Sequence, residues 1–80
     1  MDTITVVIVD DHPLFRQGVI NTITYEPDLD VIADAENGND ALELVRKHKP
    51  DVVVMDINLP GRNGQQVTRQ IVTEKLPTRV

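Results

Sequence analysis

Three aspartates stand out by where they fall. Asp10 and Asp11 close the run Ile4-Thr5-Val6-Val7-Ile8-Val9, and Asp56 closes the run Val52-Val53-Val54-Met55. Carboxylates drawn into one cleft repel each other unless a cation sits among them. The chain has no cysteine, and an oxygen donor set of this kind suits Mg²⁺. That ion keeps several waters and shares its shell with a phosphate oxygen. The matching reaction is in-line phosphoryl transfer onto a carboxylate nucleophile, with the metal neutralising charge on the moving group. For any one of the three, a plainer role exists, because aspartate at a strand end is a common turn or cap residue. Asp11 in particular could serve only as a cap. It is the repetition at matched strand ends that favours a site. His12 reads as a cap or surface residue rather than a ligand. Arg16, Arg62, Lys75 and Arg79 do not cluster in sequence and read as solvated surface.

The elements that would position these acids follow from patterning. The first apolar run is β-branched and nearly continuous, as in a parallel strand covered on both faces. Pro13 suits the first turn of a helix, capped by Asp11 or His12, with Leu14, Phe15, Val19, Ile20 and Ile23 as its apolar stripe up to Glu26-Pro27. Gly18 weakens that helix somewhat. Residues 29–36 read as a second, more polar strand near a sheet edge, and Asn37-Gly38 as a turn. Ala41, Leu42, Leu44 and Val45 make one face of a second helix. It ends in Lys47-His48-Lys49, where cations meet the negative pole, and Pro50 stops it. Residues 51–56 form a third strand, and Asn58 to Gly64 a loop in which Pro60, Gly61 and Gly64 shape the turn. Val67, Ile71, Val72 and Leu76 space a third helix ended by Pro77, and Thr78-Arg79-Val80 could open a fourth strand. Strand and helix in strict alternation predict an α/β fold with right-handed crossovers and a parallel sheet. If its order is 2-1-3, the first and third strands are neighbours. Ligands then bind beyond their carboxyl ends, where the order reverses.

Composition narrows the role. Eighty residues allow one small domain, and 40% apolar content argues against wholesale disorder. A net charge of −5 argues against direct binding of nucleic acid or an anionic membrane by this segment. No basic stretch leads into a long apolar run, and runs such as Val6 to Val9 are far too short to span a bilayer, so the cytoplasm is the expected compartment.

Several segments are familiar. Val7-Ile8-Val9-Asp10-Asp11-His12-Pro13-Leu14-Phe15-Arg16-Gln17-Gly18 resembles the opening of response-regulator receiver domains, nearest to the NarL/LuxR-type subgroup. Glu36-Asn37-Gly38 with Ala41-Leu42 resembles that family's second turn and helix. The stretch from Pro50 through Met55-Asp56-Ile57-Asn58-Leu59-Pro60 to Gly64 resembles the surroundings of its phosphorylation site. The resemblance implies a flavodoxin-like (CheY-like) fold. Asp56 would be the phosphoacceptor, Asp11 a direct Mg²⁺ ligand, and Asp10 a ligand largely through water. Asn58 would lend its main-chain carbonyl. A sensor histidine kinase would be the donor, and subgroup members usually continue into a helix-turn-helix DNA-binding domain.

The family has five strands and five helices, so residues 1–80 are expected to be the N-terminal part of such a domain, without the fourth and fifth strands or an output domain. The Ser/Thr and Lys that sense the phosphoryl group in the family would lie in the part not present. An open third strand would then favour a homo-oligomer, by pairing third strands or exchanging residues 65–80.

Two other classes compete. A haloacid-dehalogenase-type phosphatase also places a nucleophilic aspartate after an apolar strand, but it needs a second acid two residues on, where this chain has Asn58, and it leaves the Asp10-Asp11 pair unexplained. An interaction fragment that is never phosphorylated is the other. No G-x-G-x-x-G follows the first strand, which excludes a dinucleotide-binding domain. The expectation is a signalling module, not an enzyme.

Overall fold

A computed structural model describes residues 3–56, 59, 63–74, 76 and 78. The chain alternates β1 (Ile4–Val9), α1 (Pro13–Thr24), β2 (Leu29–Ala35), α2 (Gly38–His48), β3 (Val52–Met55) and α3 (Gly64–Thr73). The three strands form one parallel sheet in the order β2-β1-β3. β1 is central, which is why it had to be apolar on both faces, and Val6 through Val9 are all buried. β2 lies at an edge, as its polar residues predict, and it carries one extra residue opposite the step from Val6 to Val7.

Alternation along β1 sorts the two faces. Val7 and Val9 join Ala35, Ala41, Leu42, Val45, Val53, Leu59, Val67 and Ile71 in one core, so α2 and α3 cover that face. α1 lies against β1 and β2. Successive right-handed crossovers in opposite directions put α1 on the other face from α2.

The helix ends differ in detail from the sequence reading. His12 is the N-cap residue of α1, with Pro13 in the first turn, but its side chain makes no capping bond. Asp10 supplies the acceptor instead: its Oδ1 takes the His12 backbone N–H at 2.8 Å. Asn37 is an N-cap rather than a turn residue, accepting from the Asp40 N–H at 2.8 Å. Gly64 is the first residue of α3 and not part of the loop. Asn63 and Gln66 cap that helix reciprocally, each side chain bonding the other's backbone N–H at 2.9 Å.

α3 stops at Thr73, before Leu76, because the chain closes there on a Schellman-type bond, Leu76 N–H to the Ile71 carbonyl at 3.1 Å. Leu76 then packs on the core from outside the helix. Thr78 has no regular structure. It is buried, with its hydroxyl donating to the Pro50 carbonyl at 2.6 Å, so it is docked within its own chain. Pro77, Arg79 and Val80 lie outside the described residues.

The apolar stripe of α1 is present but is not buried. Leu14 is 91% exposed and Phe15 64%, while Val19, Ile20 and Ile23 are half-buried. The helix leans toward β2, so the flank facing β3 stays open, and Val54 of β3 is itself 44% exposed.

Candidate phosphoacceptor pocket

Order 2-1-3 makes β1 and β3 hydrogen-bonded neighbours whose chains leave the sheet side by side. The pairing runs past both strands, with Asp56 N–H donating to the Val9 carbonyl at 3.1 Å and Asp10 N–H to the Ala35 carbonyl at 3.1 Å. Those two bonds fix where the acidic residues start. Carboxylate oxygens of Asp10, Asp11 and Asp56 and a ring nitrogen of His12 all lie within 4.8 Å of one another.

Their environments are not alike. Asp10 is buried, and its Oδ1 accepts the His12 N–H and stands 3.1 Å from His12 Nδ1. Asp11 is half-buried, and its Oδ1 is shut off from solvent yet accepts no hydrogen bond, although His12 Nδ1 stands 3.0 Å away. Asp56 is half-buried. His12 is exposed, and its pKa is raised above the usual imidazole value, first by the hydrogen bond to Asp10 and then by the charge of Asp11.

On the β2 side, Arg16 reaches back from α1. Its Nε donates to Asp34 Oδ2 at 2.8 Å and its Nη1 to the Asp10 carbonyl at 2.7 Å. The sequence reading of Arg16 as solvated surface is therefore corrected: the side chain is only 17% exposed, because two acceptors hold it across the strand ends. Asp34 was missed as well. It lies inside β2, one residue before the strand's last, Ala35, so the strand-end rule applied to β1 and β3 would have pointed to Glu36 instead.

A family model for the response regulator receiver domain matches residues 6–80. Transcriptional regulatory protein DegU of Brevibacillus brevis is 51% identical over 69 residues, which cover 86% of this chain and 29% of that protein. The probable transcriptional regulatory protein NarL of Mycobacterium tuberculosis is 42% identical over 79 residues, covering 99% of this chain and 37% of that one. The solved signal receiver domain of the M. tuberculosis NarL superposes with a TM-score of 0.98 at 41% identity, covering 100% of this chain and 64% of that domain. The chain belongs to the response regulator receiver domain family. This receiver domain thus spans roughly a third of the length of the curated relatives it matches.

Of the site residues expected from the sequence, the receiver fold brings Asp10, Asp11 and Asp56 together and adds His12. Asn58, Pro60, Gly61, Arg62 and Lys75 lie outside the described residues. Receiver domains are in general signalling modules without catalytic turnover of their own, and no helix among the described residues is long and apolar enough to cross a membrane.

Proposed function

We propose that this domain accepts a phosphoryl group on Asp56 from a sensor histidine kinase, with Mg²⁺ held by Asp10, Asp11, Asp56 and the main-chain carbonyl of Asn58. The observation that carries the reading is the convergence of three carboxylates at the strand-order switch point. The donor set also fits a hard divalent cation on its own terms. Asp11 Oδ1 is a buried acceptor without a hydrogen bond, its near partner being the His12 ring nitrogen at 3.0 Å, and a buried carboxylate oxygen of that kind is stabilised by a nearby cation.

The chemistry at Asp56 is a displacement at phosphorus. A carboxylate oxygen of Asp56 forms the new O–P bond while the donor's P–N bond breaks and its imidazole nitrogen keeps the electron pair. With an acyl phosphate the P–O bond breaks instead and a carboxylate leaves. When bound, Mg²⁺ would supply charge neutralisation on the transferring oxygens. Asp10, tied by its own backbone and side-chain bonds, would hold one wall of the pocket in place. Asp11 would present its free lone pairs from the other.

The two relatives described above carry the printed names of transcriptional regulators, which supports control of a DNA-binding output domain elsewhere in the parent protein, in the cytoplasm. We further propose that the eighty-residue chain by itself associates with a second copy through the open edge of β3.

Intact-mass measurement after treatment with acetyl phosphate and Mg²⁺ tests the central reading. Wild type gains one phosphoryl mass and Asp56→Asn gains none. An adduct of equal yield on Asp56→Asn would place the acceptor elsewhere. Steady turnover of small phosphate esters would favour a phosphatase instead.

A further inference from the structure

We infer that Arg16 is a positioning residue for the acidic pocket, a strut that fixes the Asp10–Asp11 peptide against β2; the inference rests on the pocket being a Mg²⁺ site. Both peptide groups of Asp10 are tied in the same direction. Its N–H donates to the Ala35 carbonyl at 3.1 Å, and its carbonyl accepts Arg16 Nη1 at 2.7 Å. Arg16 does not float, because Asp34 takes its Nε at 2.8 Å. The guanidinium therefore joins the carboxyl ends of β1 and β2 through a planar fork, a geometry that a lysine ammonium cannot copy. The plane of the Asp10–Asp11 peptide decides where Asp11 begins, and so where its unfilled Oδ1 points. Residues one step behind a metal's ligands commonly govern affinity in this way, by about 10–100-fold.

Two physical effects of Arg16 oppose each other, and that makes the inference testable by sign. As a cation close to the pocket, Arg16 should repel Mg²⁺, so its removal would tighten binding. As a strut, it pre-orders the pocket, so its removal would weaken binding. Positioning wins because Asp34 pairs with the guanidinium and offsets most of its charge, whereas nothing else holds the Asp10 carbonyl among the described bonds.

Isothermal titration of Mg²⁺ into wild type, Arg16→Ala, Arg16→Lys and Asp34→Ala decides between them. The strut predicts a dissociation constant about tenfold higher in Arg16→Ala, with Arg16→Lys also weakened. Combining Arg16→Ala with Asp34→Ala should cost little more than Arg16→Ala alone, as for two parts of one device. An unchanged or lower dissociation constant in cooperatively folded Arg16→Ala overturns the inference. Should that variant fail to fold, Arg16→Lys carries the same test. A wild type that takes no Mg²⁺ would defeat the metal reading itself. The strut is then judged by the backbone amide resonances of Asp11 and His12, which must shift in Arg16→Lys and which, if unmoved, overturn it too.

Discussion

Asp11 has much to gain from a cation, since its Oδ1 is enclosed without a hydrogen bond beside two other carboxylates, with the His12 ring nitrogen, 3.0 Å away, to offset them in part. Mg²⁺ binding to the folded chain alone raises stability by mass action, about 2.7 kcal/mol at a free concentration one hundred times its dissociation constant. Thermal melts with and without Mg²⁺ should therefore show a rise for wild type and a much smaller one for Asp11→Ala. Equal rises in the two proteins would remove Asp11 from the ligand set. At this scale the acids were legible because a strand ending in aspartate is a local pattern, and three such residues were placed correctly in one pocket. Arg16 was not legible. Its partners, Asp10 and Asp34, lie 6 and 18 positions away, and the contact exists only once α1 has folded back over the sheet. His12 read as a surface residue, and it is exposed, but only the fold shows that its ring stands about 3 Å from two acids, 3.1 Å from Asp10 and 3.0 Å from Asp11.

At the scale of elements, α2 and α3 build the buried face while α1 contributes no buried residue. The periodicities of all three helices predicted helices, and all three form. Which stripe gets covered was not legible, because burial depends on what packs opposite and not on the stripe itself. Boundaries were blurred for two reasons: the Schellman-type closure after Ile71 is a backbone bond that propensity does not encode, whereas the Asn37 side-chain cap is a preference the sequence does carry, although Asn37-Gly38 also reads as a turn. α2 links β2 to β3, so its start sets how Asp56 is delivered. Asn37 caps it by accepting the Asp40 N–H, and Arg46 then clamps its far end to α3, with Nε 2.9 Å from Glu74 Oε1. Replacing Asn37 with alanine should cost about 1 kcal/mol, as losses of such caps usually do. Asn37→Ser, which keeps an acceptor, should stay near wild type. Urea melts with unchanged slope would show the difference. If both variants matched wild type, the cap would have no part in holding α2.

For the whole molecule, the unbalanced feature is one flank. Among the described residues, β3 has a sheet neighbour only in β1, so within them one side of a solidly apolar parallel strand is an open edge. Next to it runs a groove lined by Ile8, Phe15, Val19 and Val54, continuous with Leu14 and Ile23 along α1. Parallel strands are normally covered on both faces, and an open apolar edge is a template for another chain. The solved receiver domain it matches is longer, this chain spanning 64% of it. The proposed second copy would supply a matching surface: two β3 edges paired about a two-fold axis would bring Phe15 and Val54 of each copy toward the other. Exchange of residues 65–80 is not required, since Thr78 already docks on Pro50 of its own chain. Each copy carries a net charge of −5, so repulsion opposes the pairing and added salt should strengthen it. Sedimentation velocity of the eighty-residue chain over a concentration series should show dimer growing with concentration and with ionic strength. Val54→Lys, which puts a charge in the groove, should return it to monomer. A sharp monomer at high concentration and high salt, with cooperative unfolding, would mean that the flank is stable in water as it stands and that no second copy is needed.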